Sequence, residues 1–306
     1  MSEISRESPT PAWLAPVELI GRGTLAAFGY AGAVALMLLD TVRRSLWPFG
    51  GDSRLEGGFT RVIFHQMAWM LAMGMPLVGM VHIAMGSFLS LQAYYGSTFV
   101  DGTGAVVGVG LLRNLGGLMS GLTFAGLLAA RMIPETQAAV DRFSQEDPPF
   151  EPGALSAPRI QAAALACVLL SLWGVAVGTV VGWQASQSMM GLSTETFFLM
   201  MSRMMWFRDI VGLVFKCMLF GAISAAICCH EGLSQGGEMA DEGALKPPGR
   251  DSSIGPRDLA LPLATPIFRA ACLSLAGVLV VNSSWFILAY HAVPFYGPTL
   301  LPPPGP

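Results

Sequence analysis

The sequence predicts an all-α polytopic membrane protein. Of its 306 residues, 53% are hydrophobic and only 12% are charged, whereas soluble domains carry about 25% charged residues. The mean hydropathy of +0.57 comes from long apolar runs, and a run of about 20 apolar residues is long enough to cross a bilayer as a helix. We therefore expect these runs to form a bundle of membrane helices.

Five apolar runs have the length and composition of membrane-spanning helices. Pro76 in the first run is tolerated in a bundle, because neighbouring helices can satisfy the carbonyl group that it frees. Three glycines spaced four apart in the third run form a ridge of small residues, which lets helices pack closely. The predicted spans cover about residues 61–96, 104–133, 159–183, 195–229 and 268–292.

The N-terminal segment, residues 11–47, is amphipathic rather than uniformly apolar. Charged residues such as Glu18, Arg22 and Asp40 interrupt it, and its apolar core, Gly29–Leu39, is shorter than a full span requires. A helix of this composition can lie in the membrane interface. We predict an interfacial or elbow helix, and a steeply inserted first span is the competing interpretation.

The other segments are predicted to lie outside the bilayer. Glu135–Ala157 is polar and Pro-rich, which predicts a loop. Residues 232–262 are rich in Gly, Pro and acidic residues, a composition typical of flexible segments. Residues 1–10 form a polar tail, and residues 293–306 form a Pro-rich tail. The helical region between the two tails, residues 11–292, is predicted to be one membrane domain.

The distribution of basic residues predicts the orientation. The turns at residues 98–103 and 184–193 and the C-terminal tail carry no Lys or Arg. By the positive-inside rule, this asymmetry puts the N-terminus in the cytoplasm and, after five spans, the C-terminus outside. The basic residues on the predicted cytoplasmic side are Arg22, Arg43, Arg44, Arg54, Arg61, Arg131, Arg142, Arg159, Lys246, Arg250, Arg257 and Arg269.

Ionisable residues inside the apolar runs are the candidate functional residues. Such residues are costly in a bilayer and usually face a bundle interior, a cavity or an interface. Lys216 follows Asp209 by seven residues and Arg208 by eight, which predicts a polar stripe on one helix surface. The alternative is a Lys216 that snorkels to the interface. Arg113 and Asn114 interrupt the second run, so either that run bends to the interface or the pair lines a polar cavity.

The composition argues against several other functions. A net charge of −3 without a basic stripe gives no electrostatic basis for binding nucleic acid. No phosphate-binding Gly-rich loop and no HExxH zinc motif occurs, and the five cysteines have no metal-ligand spacing. Residues 232–236 fit the GxSxG pattern but lack the strand–turn–helix context of a hydrolase nucleophile. We expect no catalytic centre, no metal and no cofactor.

Five stretches together resemble the MlaE/YrbE family, the permease subunits of bacterial ABC-type lipid transporters. Residues 206–232, WFRDIVGLVFKCMLFGAISAAICCHEG, are similar to the fourth span of the family. Residues 111–126, LLRNLGGLMSGLTFAG, are similar to its LLRELGP…AG segment. Residues 85–95, MGSFLSLQAYY, resemble the end of its first span and include Gln92. Residues 20–39 resemble its N-terminal interfacial helix, and residues 157–182 resemble its third span.

The resemblance implies a permease subunit that is not itself an enzyme, because ATP hydrolysis takes place in a partner. It implies the bacterial inner membrane, a dimer of permease subunits, a cytoplasmic ABC ATPase, a periplasmic MCE-domain protein and a phospholipid or other hydrophobic substrate. Glu135 and Arg142 are the candidates for ATPase contact. The candidates for a polar lipid cavity within the membrane are Gln92, Arg113, Asn114, Arg208, Asp209 and Lys216.

The chain also departs from the family pattern. Asn114 stands where the family usually has an acidic residue, Gly117 replaces a proline and Leu127 replaces an arginine. The stretch that follows Glu135 is Pro-rich and matches the family's coupling helix poorly. These differences suggest a specialised half of a heterodimer in which a second permease keeps the usual coupling segment. The alternative is a scaffold that does not transport.

Overall fold

The computed structural model of the protein describes residues 15–46, 58–96, 103–143, 152–243 and 264–289. All regular elements in these ranges are helical, so the predicted all-α polytopic fold is confirmed. The helices are α1 (Ala15–Leu46), α2 (Gly58–Gly96), α3 (Gly116–Phe143), α4 (Pro152–Met190), α5 (Thr194–Met204), α6 (Phe207–Gly243) and α7 (Ala264–Ile287). Two π-helical turns, Ala105–Val109 and Leu111–Leu115, precede α3, and we call residues 105–115 the π segment.

Close packing around α4 organises the bundle. The helix α4 lies along α2 on one side and along α6 on the other. Gly86 of α2 faces the backbone of Gly178 in α4, and Gly221 of α6 lies against Ala163 of α4. Because lipid provides no hydrophobic driving force between spans, such close approach of backbones is a main source of attraction between them. The glycine ridge predicted in the third span therefore packs against α2.

The bundle has two chemically different ends. The ends of α3 and α6 and the starts of α4 and α7 form the basic end, which carries Arg131, Arg142, Arg159 and Arg269. The last turns of α2, α4 and α7 lie at the opposite end, together with α5 and the π segment. Each span from α2 onwards thus runs in the direction opposite to the span before it, as the alternating polar segments in the sequence predict.

The N-terminal helix α1 lies within the predicted segment 11–47, but its apolar stretch is longer than the predicted core Gly29–Leu39. Ile20–Ser45 meets the length and composition of a membrane span, because Leu25 and Phe28 extend the apolar stretch before Gly29. Six helices of the described chain meet that criterion, five of them in addition to α1. Most of α1's side chains are exposed, and one narrow face with Val34 and Thr41 is buried.

Three contacts of α1 with α4 and α6 fall at the basic end. Its Tyr30 ring packs edge-on against His230 of α6, with the ring centroids 4.8 Å apart. The carbonyl oxygen of Thr41 accepts a hydrogen bond from Gln161 Nε2 of α4 at 3.4 Å, and Arg44 lies beside Gly153. The helix therefore crosses the first turns of α4 and the last turns of α6.

Two predicted loops are partly helical. The helix α3 continues through Pro134 to Phe143, and α4 begins at Pro152, so the predicted loop Glu135–Ala157 is much shorter. The helix α6 extends to Gly243, into the predicted loop 232–262. Polarity misled the prediction, since the stretch ETQAAVDRF contains no Gly or Pro and includes the good helix formers Glu, Gln, Ala and Arg. The predicted tails, 1–10 and 293–306, lie outside the described residues.

The predicted fourth span, residues 195–229, is two helices. After a turn at Gly191, which has a positive φ of 62°, Ser193 caps α5 by accepting a hydrogen bond from Thr196 N at 3.1 Å. Met205 is extended, and α6 begins at Phe207. The run from 195 to 229 contains no Pro and no Gly before residue 212, so the sequence shows no break there.

Candidate functional site: a buried polar network

An ion pair joins the π segment to α6. Arg113 Nε donates to Asp209 Oδ1 at 3.0 Å, and Arg113 Nη2 donates to Asp209 Oδ2 at 2.8 Å. Asp209 Oδ2 also accepts from the backbone N–H of Trp206 at 3.1 Å, which caps the start of α6. The Asp209 side chain is fully buried, and a third of the Arg113 side chain is exposed. Two parallel charge-assisted bonds fix both position and angle between the helices.

Lys216 extends this network into the bundle. The residue is only 1% exposed, so the snorkelling alternative is wrong. Its Nζ donates to the backbone oxygen of Arg113 at 2.9 Å and to Asn282 Oδ1 of α7 at 3.5 Å. Lys216 therefore links α6 to both the π segment and α7.

Arg208 lies apart from the network. Its Nη1 donates to the backbone oxygen of Ala289 at 3.3 Å, and its guanidinium sits 5.7 Å from the centroid of the Trp206 ring. Consecutive helical residues point about 100° apart, so Arg208 and Asp209 cannot share one face. The predicted stripe thus contributes Asp209 and Lys216 to the network, while Arg208 anchors the end of α7.

The remaining cavity candidates are separate from these contacts. Asn114 is half-buried, and Gln92 is exposed near the end of α2. Within the described ranges, no hydrogen bond to either side chain is found. Arg113 is partly exposed and pairs with the buried Asp209, so its place in a polar cavity stays a prediction.

A second ion pair, which the sequence analysis missed, lies at the basic end; its carboxylate is buried, and about half of its arginine side chain is exposed. Glu231 of α6 is 0% exposed, and Arg269 Nε of α7 donates to its two carboxylate oxygens at 3.0 and 2.9 Å. Nearby, Arg159 Nη1 of α4 donates to Thr136 Oγ1 of α3 at 2.9 Å. The sequence does contain an indication of this pair, since Glu231 ends one apolar run and Arg269 stands near the start of the next.

The candidates for ATPase contact lie at this same basic end. Glu135 Oε1 accepts from Arg131 Nε at 2.6 Å, and the Arg131 guanidinium lies 4.3 Å from the centroid of the Trp69 ring in α2. Arg142 is exposed in the last turns of α3. Both candidates therefore sit where α3 leaves the bundle.

An open apolar groove runs along α5 at the opposite end. Its volume is about 490 Å³. One wall reaches the π segment, because Met201 of the groove lies directly against Gly108. The groove is lined by Glu195, Phe198, Leu199, Met201, Ser202 and Met205.

We expect Glu231→Gln to destabilise the protein by about 1.5–3 kcal/mol, the worth of hydrogen bonds to a charged group. The amide keeps the shape of the carboxylate but removes the charge that Arg269 faces. The measurement is equilibrium unfolding of the purified protein in mixed micelles. Glu135→Gln is the matched control, because its pair with Arg131 is partly exposed and exposed pairs contribute about 0.2–1 kcal/mol. Equal losses in the two variants would contradict the prediction.

The fold and this network define a multi-pass α-helical membrane protein whose buried charges connect its spans. A family model, Permease MlaE, matches residues 151–244, which contain α4, α5 and α6. The resemblance to MlaE-type permeases is therefore confirmed over this part of the chain. Such permeases are membrane components of ABC-type transporters. A comparison with curated proteins finds no match.

Proposed function

We propose that this chain is the permease subunit of an ABC-type transporter that moves phospholipid or another hydrophobic molecule. The match of Permease MlaE to residues 151–244 carries the proposal. That region contains α6, with Asp209, Lys216 and Glu231 all buried, and charges within membrane spans generally serve function. The proposed partners are a cytoplasmic ABC ATPase, a periplasmic MCE-domain protein and a second permease subunit, identical or different.

The proposed location is the bacterial inner membrane, with the N-terminus and the basic end in the cytoplasm. The positive-inside rule supports this orientation, since Arg131, Arg142, Arg159 and Arg269 share one end. The same orientation brings Glu135 and Arg142 to the side of the ATPase.

The contacts of α1 support an interfacial helix. From Tyr30 to Arg44 the helix advances by about 21 Å at 1.5 Å per residue. If α1 were a span parallel to α4, its contact points would advance along α4 by a similar distance. Instead, the partners of α1 are His230, Gln161 and Gly153, which all lie near the basic end. A helix placed across this end would lie along the membrane surface.

The continuous helix α3 can transmit a conformational change from the ATPase to the membrane interior. Its 28 residues extend over about 42 Å. Glu135 and Arg142 lie near one end, and the π segment with Arg113 lies at the other. ATP binding shifts a transporter only if its two conformations differ in affinity for a ligand. In this proposal, α3 transmits the conformational change to the polar network and to the groove along α5. The apolar lining of that groove suits an acyl chain.

Native mass spectrometry of the complex purified through this chain from its own cells tests the proposal. We expect two permease chains, two ATPase chains and bound phospholipid. One copy of this chain beside a different permease would support the specialised half of a heterodimer. A complex with an MCE-domain protein but without any ATPase would contradict transport and would favour the scaffold.

A further inference from the structure

Arg159 is a buried arginine whose charge no carboxylate of the described residues neutralises. It lies near the start of α4 and is only 8% exposed, although arginines are rarely buried this far unless they are paired. Its Nη1 donates to Thr136 Oγ1 of α3 at 2.9 Å, which is its only hydrogen bond within the described ranges. A buried charge without a counter-charge is costly, so this guanidinium favours an anion that can reach it.

Three carboxylates at the basic end already have arginine partners. Arg142, exposed in the last turns of α3, adds a further positive charge there. An excess of positive charge attracts anions from solution or from the membrane surface. The three pairs are Asp40–Arg44, Arg131–Glu135 and Glu231–Arg269.

The open edge of the Arg159 guanidinium is the edge that binds carboxylates elsewhere in this chain. Arg113 holds Asp209 through Nε and Nη2, and Arg269 holds Glu231 through the same two nitrogens. In Arg159, Nε and Nη2 make no bond to the described residues, and neither is sealed away from solvent. This planar pair of donors matches two oxygens of one carboxylate or phosphate group.

The hydroxyl of Thr136 holds the guanidinium in this orientation. Thr136 is 1% exposed, and its Oγ1 donates to the backbone oxygen of Met132 at 2.7 Å. Because a hydroxyl has one proton, Oγ1 is left as the acceptor for Arg159 Nη1. The two donors of the open edge are therefore fixed before any ligand arrives, which lowers the entropy cost of binding.

The contacts of α1 place Arg159 at the depth of lipid headgroups. In α4, Gly153 lies beside Arg44 of α1, and Gln161 donates to the oxygen of Thr41, so Arg159 stands between two positions that α1 touches. An amphipathic helix in the interface lies at headgroup level, and basic pockets between spans on the cytoplasmic side bind phosphate-bearing headgroups. This step rests on the interfacial position and the orientation proposed above for α1.

We propose that Arg159 is a binding site for a phosphate group, and that in the membrane a phospholipid headgroup supplies it. Nε and Nη2 donate to two phosphate oxygens, while Nη1 stays on Thr136. An inorganic phosphate ion offers the same oxygens, so the test includes both sources. The site lies at the opposite end of the bundle from the groove along α5. It is therefore separate from the proposed transport groove and stands whether or not the chain transports lipid.

Chemical modification tests this site in the unaltered chain. Phenylglyoxal reacts with guanidinium groups, and peptide mass mapping follows its reaction with Arg159 in the full-length protein, freed of lipid in an uncharged detergent. We expect phosphatidylglycerol at about ten times its dissociation constant to slow this reaction about tenfold, because only the unoccupied site reacts. Diacylglycerol with the same acyl chains lacks the phosphate and should give no protection. Arg61, exposed in the first turn of α2, is the internal control and should react at an unchanged rate.

Inorganic phosphate separates the two sources of the ligand. Protection by phosphatidylglycerol but not by inorganic phosphate at equal concentration assigns the site to a lipid headgroup, whereas equal protection by both assigns it to free phosphate. Equal protection by diacylglycerol, or equal slowing at Arg61, would overturn the phosphate site. If neither phosphate-bearing probe protected Arg159, the proposal would be wrong. Protection seen only with a bound ATPase would then assign the open edge to a carboxylate of that partner.

A matched pair of threonine variants tests how the guanidinium is held. Thr136→Val keeps the shape of the side chain and the Arg159 readout but removes the hydroxyl that orients Nη1. Half-protection of Arg159 should then need up to about tenfold more phosphatidylglycerol, the equivalent of one hydrogen bond. Thr123→Val is the control, because Thr123 Oγ1 makes the same kind of bond in α3, to the oxygen of Met119 at 2.7 Å. It should leave the protection unchanged, and equal protection in the two variants would contradict a prearranged site.

Discussion

Asp209→Ala is expected to destabilise the protein by about 3 kcal/mol or more, the range for breaking a buried ion pair. The change leaves the Arg113 guanidinium without the two bonds that it makes to Asp209. It also removes the acceptor of the Trp206 N–H at the start of α6. A third of the Arg113 side chain is exposed, so water relieves part of the cost, which places the expected loss near the lower limit of that range.

A double-mutant cycle separates the pair from its surroundings. Replacing a buried ion pair by apolar residues of similar size is often close to neutral. We therefore expect the double variant Arg113→Met, Asp209→Leu to be more stable than Asp209→Leu alone, as measured by equilibrium unfolding in mixed micelles. The difference from additivity should be about 0.5–3 kcal/mol for residues in contact. Additive losses would show that the two side chains do not act as a pair.

The fold follows from the sequence where one physical term dominates. Apolar length alone predicts α2, α4 and α7, because a bilayer requires about 20 apolar residues in a helix. The start of α5 depends on a local hydrogen bond from Thr196 N to Ser193, and the start of α6 depends on one from Trp206 N to Asp209. These bonds interrupt the helix without interrupting its apolar composition, so hydropathy cannot show them.

The site is predictable only in part, for a similar reason. Asp209 and Lys216 stand out because a charge in an apolar run is costly. Arg113 stands out for the same reason, but its pairing with Asp209 does not, since the two residues lie 96 positions apart in the chain. The contact of Lys216 is with a backbone oxygen of Arg113, and its geometry depends on the π turns. No periodicity in the sequence marks those turns.

Gly86→Ala is expected to be the most damaging small substitution between α2 and α4. A Cβ at Gly86 would overlap the backbone oxygen of Gly178, and a backbone atom cannot rotate away as a side chain can. The two helices must therefore separate, which disturbs the neighbouring hydrogen bond from Ser90 Oγ to the oxygen of Gly182 at 2.8 Å. Overpacking of this kind costs about 1–3 kcal/mol, and loss of the buried hydrogen bond adds about 1 kcal/mol.

Gly126→Ala is the matched control, since nothing lies within 4 Å of a Cβ at that position of α3. Alanine is the better helix former by about 0.5–1 kcal/mol, so this variant should be as stable as the wild type or more stable. The measurement is the midpoint of unfolding in mixed micelles for both variants. If Gly86→Ala unfolded at the same midpoint as Gly126→Ala, the close approach of α2 and α4 at Gly178 would be wrong. A loss confined to Gly86→Ala would show that direct backbone contact, and not glycine's helix propensity, sets the spacing of these two spans.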